Sequence, residues 1–170
     1  MIEIGFCNKE KLQSLKNDLM KLEKTAFHPD IQEDWESKSE LIKNSASCFL
    51  AWDVNRVIGE AYAVKDLSDE DGDSADEKHL QEIDRKMKVE NGVYLCSLAV
   101  LPGYEGRGIA RQLMEEVFDD LREQGYSVVY SHAKEGASSH LHEVFGGELI
   151  GKRENWYDTG KTHFLYRIVL

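Results

Sequence analysis

Apolar and polar positions alternate with two periods along the chain, and the points where one period gives way to the other mark its elements. Residues 2–6 alternate weakly and predict a first strand. Leu12, Leu15, Leu19, Leu22 and Ala26 follow at spacings of three and four, one stripe on a helix that should end before Pro29. A weaker helix is predicted over 32–43, with Trp35, Leu41 and Ile42 as buried candidates. Residues 48–52 and 57–64 read as strands joined by a turn at 53–56, a hairpin. Leu80, Ile83 and Met87 mark a short amphipathic helix. "GVYLCSLAV" (92–100) is rich in β-formers and reads as a central strand. The strongest helical pattern covers 109–123, where Ala110, Leu113, Met114, Val117, Phe118 and Leu121 line one face and Gly125 ends it. Residues 126–132 predict a buried strand, and 138–145 a short helix stopped by Gly146 and Gly147. Residues 149–153 and 162–170 predict a closing hairpin with "ENWYDTGK" at its tip.

Strand, helix and strand in succession over 92–132 make a βαβ unit, whose two strands should be parallel. No repeat and no Pro/Ser-rich linker divides the 170 residues. The economical reading is one α/β domain over 1–170, a mixed sheet flanked by helices, with an acidic insertion at about 66–90.

Charge narrows the partners. The formal net charge is −11, which argues against a nucleic-acid grip, since phosphate binding needs a basic face. Carboxylates crowd between Asp66 and Glu77. They read as a solvated insertion, or as a rim that attracts a cationic substrate. Asp69, Asp71 and Asp73 have calcium-loop spacing, but Ser74 stands where the loop glycine belongs and the closing Glu is missing, so no metal site is expected. No apolar run is long enough to span a bilayer, and "MIEIGFCNKE" lacks the features of a signal peptide. A cytoplasmic protein with no membrane partner is the expectation. Cys7, Cys48 and Cys96 form no Cys-x-x-Cys pair and read as buried thiols. Cys96 has no histidine beside it by local spacing and reads as core rather than nucleophile.

Between the central strand and the strongest helix the chain places Gly103, Gly106 and Gly108. A helix N-terminus leaves about four N–H groups without internal partners and carries about half a positive charge. Glycines there remove Cβ atoms and open the main chain to an anion such as pyrophosphate. On spacing alone, a tight turn needing positive φ is an equal reading. No P-loop is present. The dinucleotide fingerprint begins at Gly106 and Gly108, but its third position is Arg111, which disfavours a nicotinamide oxidoreductase.

"EGRGIA" (105–110) resembles the acyl-CoA signature Gln/Arg-x-x-Gly-x-Gly/Ala of the GNAT superfamily of N-acyltransferases, with Gly108 and Ala110 in its last two positions. The preceding "LAV", the proline and the following helix also look like that family, as does "HLHEVFGGELIG". The resemblance implies a GNAT-like sheet with its parallel pair around the signature loop and helix. It implies acetyl-CoA as co-substrate and acetyl transfer to a primary amine by direct attack. The pyrophosphate would lie on the amides of Gly106, Arg107, Gly108, Ile109, Ala110 and Arg111. The pantetheine arm would pair with the backbone of Leu98, Ala99 and Val100. Arg107 and Arg111 would supply positive charge.

Two departures stand out. Glu105 replaces the usual Gln or Arg and would repel pyrophosphate unless it points away. His142 stands where the family places the tyrosine that protonates the leaving thiolate, and a neutral imidazole can also donate a hydrogen bond. Tyr157 is a fallback acid. Glu60, and less directly Glu90, are the candidate bases that free the amine lone pair. The acceptor would be a small-molecule or peptide amine, with cationic amines favoured by the acidic insertion. A homodimer is left open. The alternative function is a non-catalytic acyl-CoA sensor or scaffold module, motivated by Glu105 and His142.

Overall fold

A computed structural model describes residues 1–67 and 72–170. The elements follow as β1 (Ile2–Phe6), α1 (Lys16–Ala26), α2 (Trp35–Asn44), β2 (Ser47–Asp53), β3 (Arg56–Val64), α3 (Ala75–Glu90), β4 (Gly92–Val100), α4 (Ile109–Glu123), β5 (Val128–Lys134), α5 (Ala137–Val144), β6 (Glu148–Arg153) and β7 (His163–Val169). The seven strands form a mixed sheet in the order β1-β2-β3-β4-β5-β7-β6. β1, β2 and β3 pair antiparallel. β4 and β5 pair in parallel from Gly92↔Val128 to Tyr94↔Tyr130, as the βαβ reading requires. β7 pairs antiparallel with both β5 and β6, so the closing hairpin inserts its second strand into the sheet. The chain divides into two compact units, 1–63 with 96–120 and 64–95 with 121–170.

In the first unit the N-terminal stripe is shared between a 3-10 turn, Lys9–Leu15, and α1. Leu12, Leu19 and Leu22 are buried, whereas Leu15 is partly exposed and Ala26 exposed. The tighter 3-10 winding rotates the early residues relative to the later ones, so one ideal stripe cannot hold. α2 starts later than the spacing predicts because the Asp34 side chain accepts from the Ser37 amide at 2.8 Å and caps it. Of its three candidates only Ile42 is fully buried, and Lys38 shares that interior position. α4 matches its predicted bounds, and of its part in this unit Leu113, Met114, Val117 and Phe118 are buried. Gly59 is required for packing: a Cβ there would lie 3.1 Å from the Ala99 carbonyl oxygen and 3.2 Å from Leu113.

In the second unit α3 is a 16-residue helix opened by a reciprocal Ser74–Glu77 capping box. Leu80, Ile83 and Met87 are its buried face, and the Asp84 carboxylate accepts from the Leu67 amide at 2.9 Å. Asp69 and Asp71 of the rejected calcium loop lie outside the described residues. β5 starts at Val128, later than expected, because the Tyr126 and Ser127 amides are spent on Leu121 and Asn91 carbonyls in leaving α4. Among the described residues no helix is long and apolar enough to cross a membrane.

Candidate active site

The glycine loop is shaped by its own atoms. Gly103, Gly106 and Gly108 have φ of +91°, +74° and +76°, the left-handed region that disfavours side chains. A Cβ at Gly103 or Gly106 would meet nothing within 4 Å, so conformation, and not crowding, requires glycine there. The turn begins with the Tyr104 amide donating to the Leu101 carbonyl. Glu105 points back into the loop, where its carboxylate accepts from the Gly103 amide at 2.5 Å. Arg107 donates to the Gly103 carbonyl at 3.2 Å and lies 5.0 Å from the centre of the Tyr104 ring. Tyr104 in turn donates to Asp53 at 2.9 Å. The first helical bond of α4 runs from the Gln112 amide to the Gly108 carbonyl, leaving the amides of Ile109, Ala110 and Arg111 ahead of the intrahelical ladder. Arg107 and Arg111 are exposed, the latter paired with Glu115 at 2.9 Å. Leu98 and Val100 are partly exposed on β4, while Ala99 is buried.

Glu60 departs from the expected base. It is fully buried on β3 and accepts from Lys38 Nζ at 2.5 Å and Ser97 Oγ at 2.7 Å. Lys38 also donates to Glu23 at 2.8 Å, and Glu23 accepts from the Glu33 amide. Burial alone would lower the Lys38 pKa, but Glu60 and Glu23 together outweigh it and hold the ammonium above its ordinary value. The Glu60 carboxylate is therefore part of an internal ion network. Its second oxygen, Oε2, has no hydrogen-bond partner among the described residues. Sequence reasoning missed Lys38 and Ser97. The available signal was that Lys38 lies three residues after Trp35 and four before Ile42, on the apolar stripe.

His142 also differs from the expected thiol-facing acid. It is 1% exposed on α5, with Nδ1 2.7 Å from the Ser138 carbonyl and Nε2 2.9 Å from Ser131 Oγ. A carbonyl only accepts, so Nδ1 carries the proton and Nε2 receives the Ser131 hydroxyl. The neutral ring has no spare N–H to donate. Burial lowers its pKa, a smaller opposing effect coming from the Ser138 carbonyl. A histidine with a depressed folded pKa stabilises above the unfolded value near 6.5 and loses that contribution as pH falls toward the folded value. Unfolding by urea at descending pH should show this loss in the wild type, and His142→Gln should make it smaller without removing it, since burial shifts other histidines the same way.

Glu90 is also committed elsewhere. Arg167 donates to both its oxygens, at 3.1 and 2.8 Å, and Tyr130 donates to it as well. These bonds, Arg167 first, hold its pKa below the usual range. Tyr157 is partly exposed at φ +45°, its amide donating to Asp76 at 3.0 Å. Cys7 and Cys48 are buried as expected, but Cys96 is partly exposed and not a core thiol. A further cluster escaped the sequence reading: His79, His132, Tyr94 and Trp156 meet in the second unit. Among the described residues no group of three or more His, Cys, Asp or Glu is placed to hold a metal ion.

The family model for the acetyltransferase (GNAT) family matches residues 12–146. No curated protein matches the sequence significantly. Among solved structures, the Drosophila melanogaster polyamine N-acetyltransferase superposes with a TM-score of 0.70 at 16% identity, covering 100% of both chains. A ribosomal-protein-alanine N-acetyltransferase from Brucella melitensis gives 0.65 at 17% identity over 99% of both chains. The yncA protein of Salmonella typhimurium, solved with its cofactor acetyl-CoA, gives 0.66 at 16%, covering 100% of this chain and 94% of that one. At these identities the likeness is one of fold.

Proposed function

The chain belongs to the acetyltransferase (GNAT) family and is an acyltransferase, and from that premise we propose that it transfers the acetyl group of acetyl-CoA to a primary amine by direct attack. The observation that carries this reading is the left-handed glycine turn leading into α4. It combines open space at Gly103 and Gly106 with helix-start amides and two exposed arginines. This suits a pyrophosphate, which needs converging N–H donors and no intervening side chains. The amides of 106–111 hold that group, and Arg107 and Arg111 add charge in a protein of net −11. Glu105 joins through its backbone, its carboxylate being turned onto Gly103. The backbone of Leu98, Ala99 and Val100 pairs with the pantetheine amides, as an extended ligand pairs with a strand.

Acetyl-CoA supplies an activated thioester. The amine must be neutral when it attacks, because an ammonium has no lone pair. A nitrogen–carbon bond forms, the carbon–sulfur bond breaks, and one amine proton ends on the sulfur. His142 and Glu60 act in this reading as positioning residues. The His142 ring fixes α5 against Ser131, and Glu60 fixes Ser97 in the segment leading to Leu98. Tyr157 is the remaining candidate acid. The acceptor is a cationic amine, consistent with the net charge and with neighbours described as acting on polyamines.

The test pairs two readouts on the full chain: thermal unfolding with acetyl-CoA, and mass spectrometry of acetylated product from spermidine, agmatine, a peptide amine and a neutral alkylamine. A raised midpoint with product on the cationic amines is expected. No midpoint shift would remove the cofactor placement. A shift with no product from any amine would remove the direct-attack reading. A shift with the neutral amine preferred would remove the acceptor class.

A further inference from the structure

Two histidines of the second unit face one another. His79 Nε2 on α3 lies 3.1 Å from His132 Nε2 on β5, with the rings edge to face at 5.2 Å between centres. Two ring nitrogens at this distance form one hydrogen bond, in which one donates N–H and the other accepts with its lone pair. When both rings are protonated, both nitrogens are donors and the bond cannot exist.

The His132 ring is not free to turn away. Its Nδ1 is 2.7 Å from the Tyr94 hydroxyl on β4, and the Trp156 indole stacks on it at 4.3 Å and 23°. The charges around the pair are already matched. On α3, Glu82 pairs with Lys86 at 3.0 Å. Asp76 of α3 pairs with Arg153 of β6, at 3.0 Å to Nε and 2.5 Å to Nη2. His163 of β7 is a further titratable ring on the Trp156 side, and Lys134 of β5 is a cation near it. Glu82 and Asp76 still favour a protonated His79, but burial and the Arg153 charge outweigh them.

The consequence extends past the pair. Asp76 also accepts from the Tyr157 amide, so α3 braces the 154–162 connection. That connection holds Asn155, Tyr157 and Asp158 at φ of +52°, +45° and +59°, backbone that side-chain-bearing residues adopt only when held there.

We propose that the His79–His132 pair is a proton-sensitive latch: it fastens the N-terminal half of α3 to β5 and, through Asp76, steadies the 154–162 connection, and it loosens as the pair takes up protons. Burial lowers the pKa of both rings, so folding favours the neutral pair and acid works against it.

Hydrogen exchange read by mass spectrometry on the full chain, corrected for the intrinsic rate, tests this at neutral pH and about pH 5. In the wild type, peptides over 75–84 and 154–162 should lose protection several-fold on acidification. A peptide over 48–64 serves as the control and should change little. His79→Gln keeps a donor for His132 Nε2 but cannot titrate, so its acid-induced loss should largely vanish. His132→Gln is the second variant, and retained protection over 48–64 and over β7 (163–169) at neutral pH shows that each has folded in both units. Unchanged protection of α3 in the wild type, or an undiminished acid response in whichever variant folds, would overturn the latch.

Discussion

Lys38→Met should destabilise the protein by about 3–5 kcal/mol, the cost of removing one member of a buried ion pair. The ammonium is fully buried between Glu23 and Glu60, at 2.8 and 2.5 Å. Without it, two carboxylates remain in the interior with no cation and must take up protons or water. The loss comes mainly from the charges left behind, so removing them as well should restore stability. A triple variant, Lys38→Met with Glu23→Gln and Glu60→Gln, should recover most of the deficit, since uncharged replacements of buried ion pairs are often neutral. Urea unfolding near neutral pH measures both. A single variant that loses less than about 1 kcal/mol would contradict a network on which α1, α2 and β3 depend.

Gly108→Trp should abolish stabilisation by acetyl-CoA. At a ligand concentration about 100-fold above Kd, the wild type gains about 2.7 kcal/mol, which for a chain of this size raises Tm by about 5–10 °C. Tryptophan at φ +76° strains the turn and fills the approach to the α4 amides. The unliganded variant should therefore unfold at a lower temperature than the wild type, and its midpoint should not respond to acetyl-CoA. A full response in this variant would place the cofactor elsewhere.

Legibility in the sequence followed how local the cause was. α4 was readable to its ends because one stripe of apolar residues, a glycine loop before it and Gly125 after it act within a few residues of each other. The parallel pair followed from the order strand, helix, strand. β5 was placed too early because the Tyr126 and Ser127 amides bond to residues 121 and 91, which no local pattern reveals. The 3-10 start before α1 displaced Leu15 from the buried stripe for a geometric reason invisible to a 3.6-residue period, and Ala26 is exposed as the last residue of α1, where the chain turns extended at Phe27. At the site, the glycine turn was legible as backbone chemistry. The partners of Glu60 and His142 were not, since Lys38 and Ser131 lie 22 and 11 residues away. A position in a motif identifies a residue, whereas its protonation and reach depend on neighbours brought by the fold.

Glu105 holds the Gly103 amide, Arg107 holds the Gly103 carbonyl, and Tyr104 is tied to Asp53. These bonds run between the chain's own atoms, so the conformational entropy of ordering the turn is lost during folding and need not be lost again on association. Pre-organisation of this kind favours lock-and-key capture over induced fit at the turn.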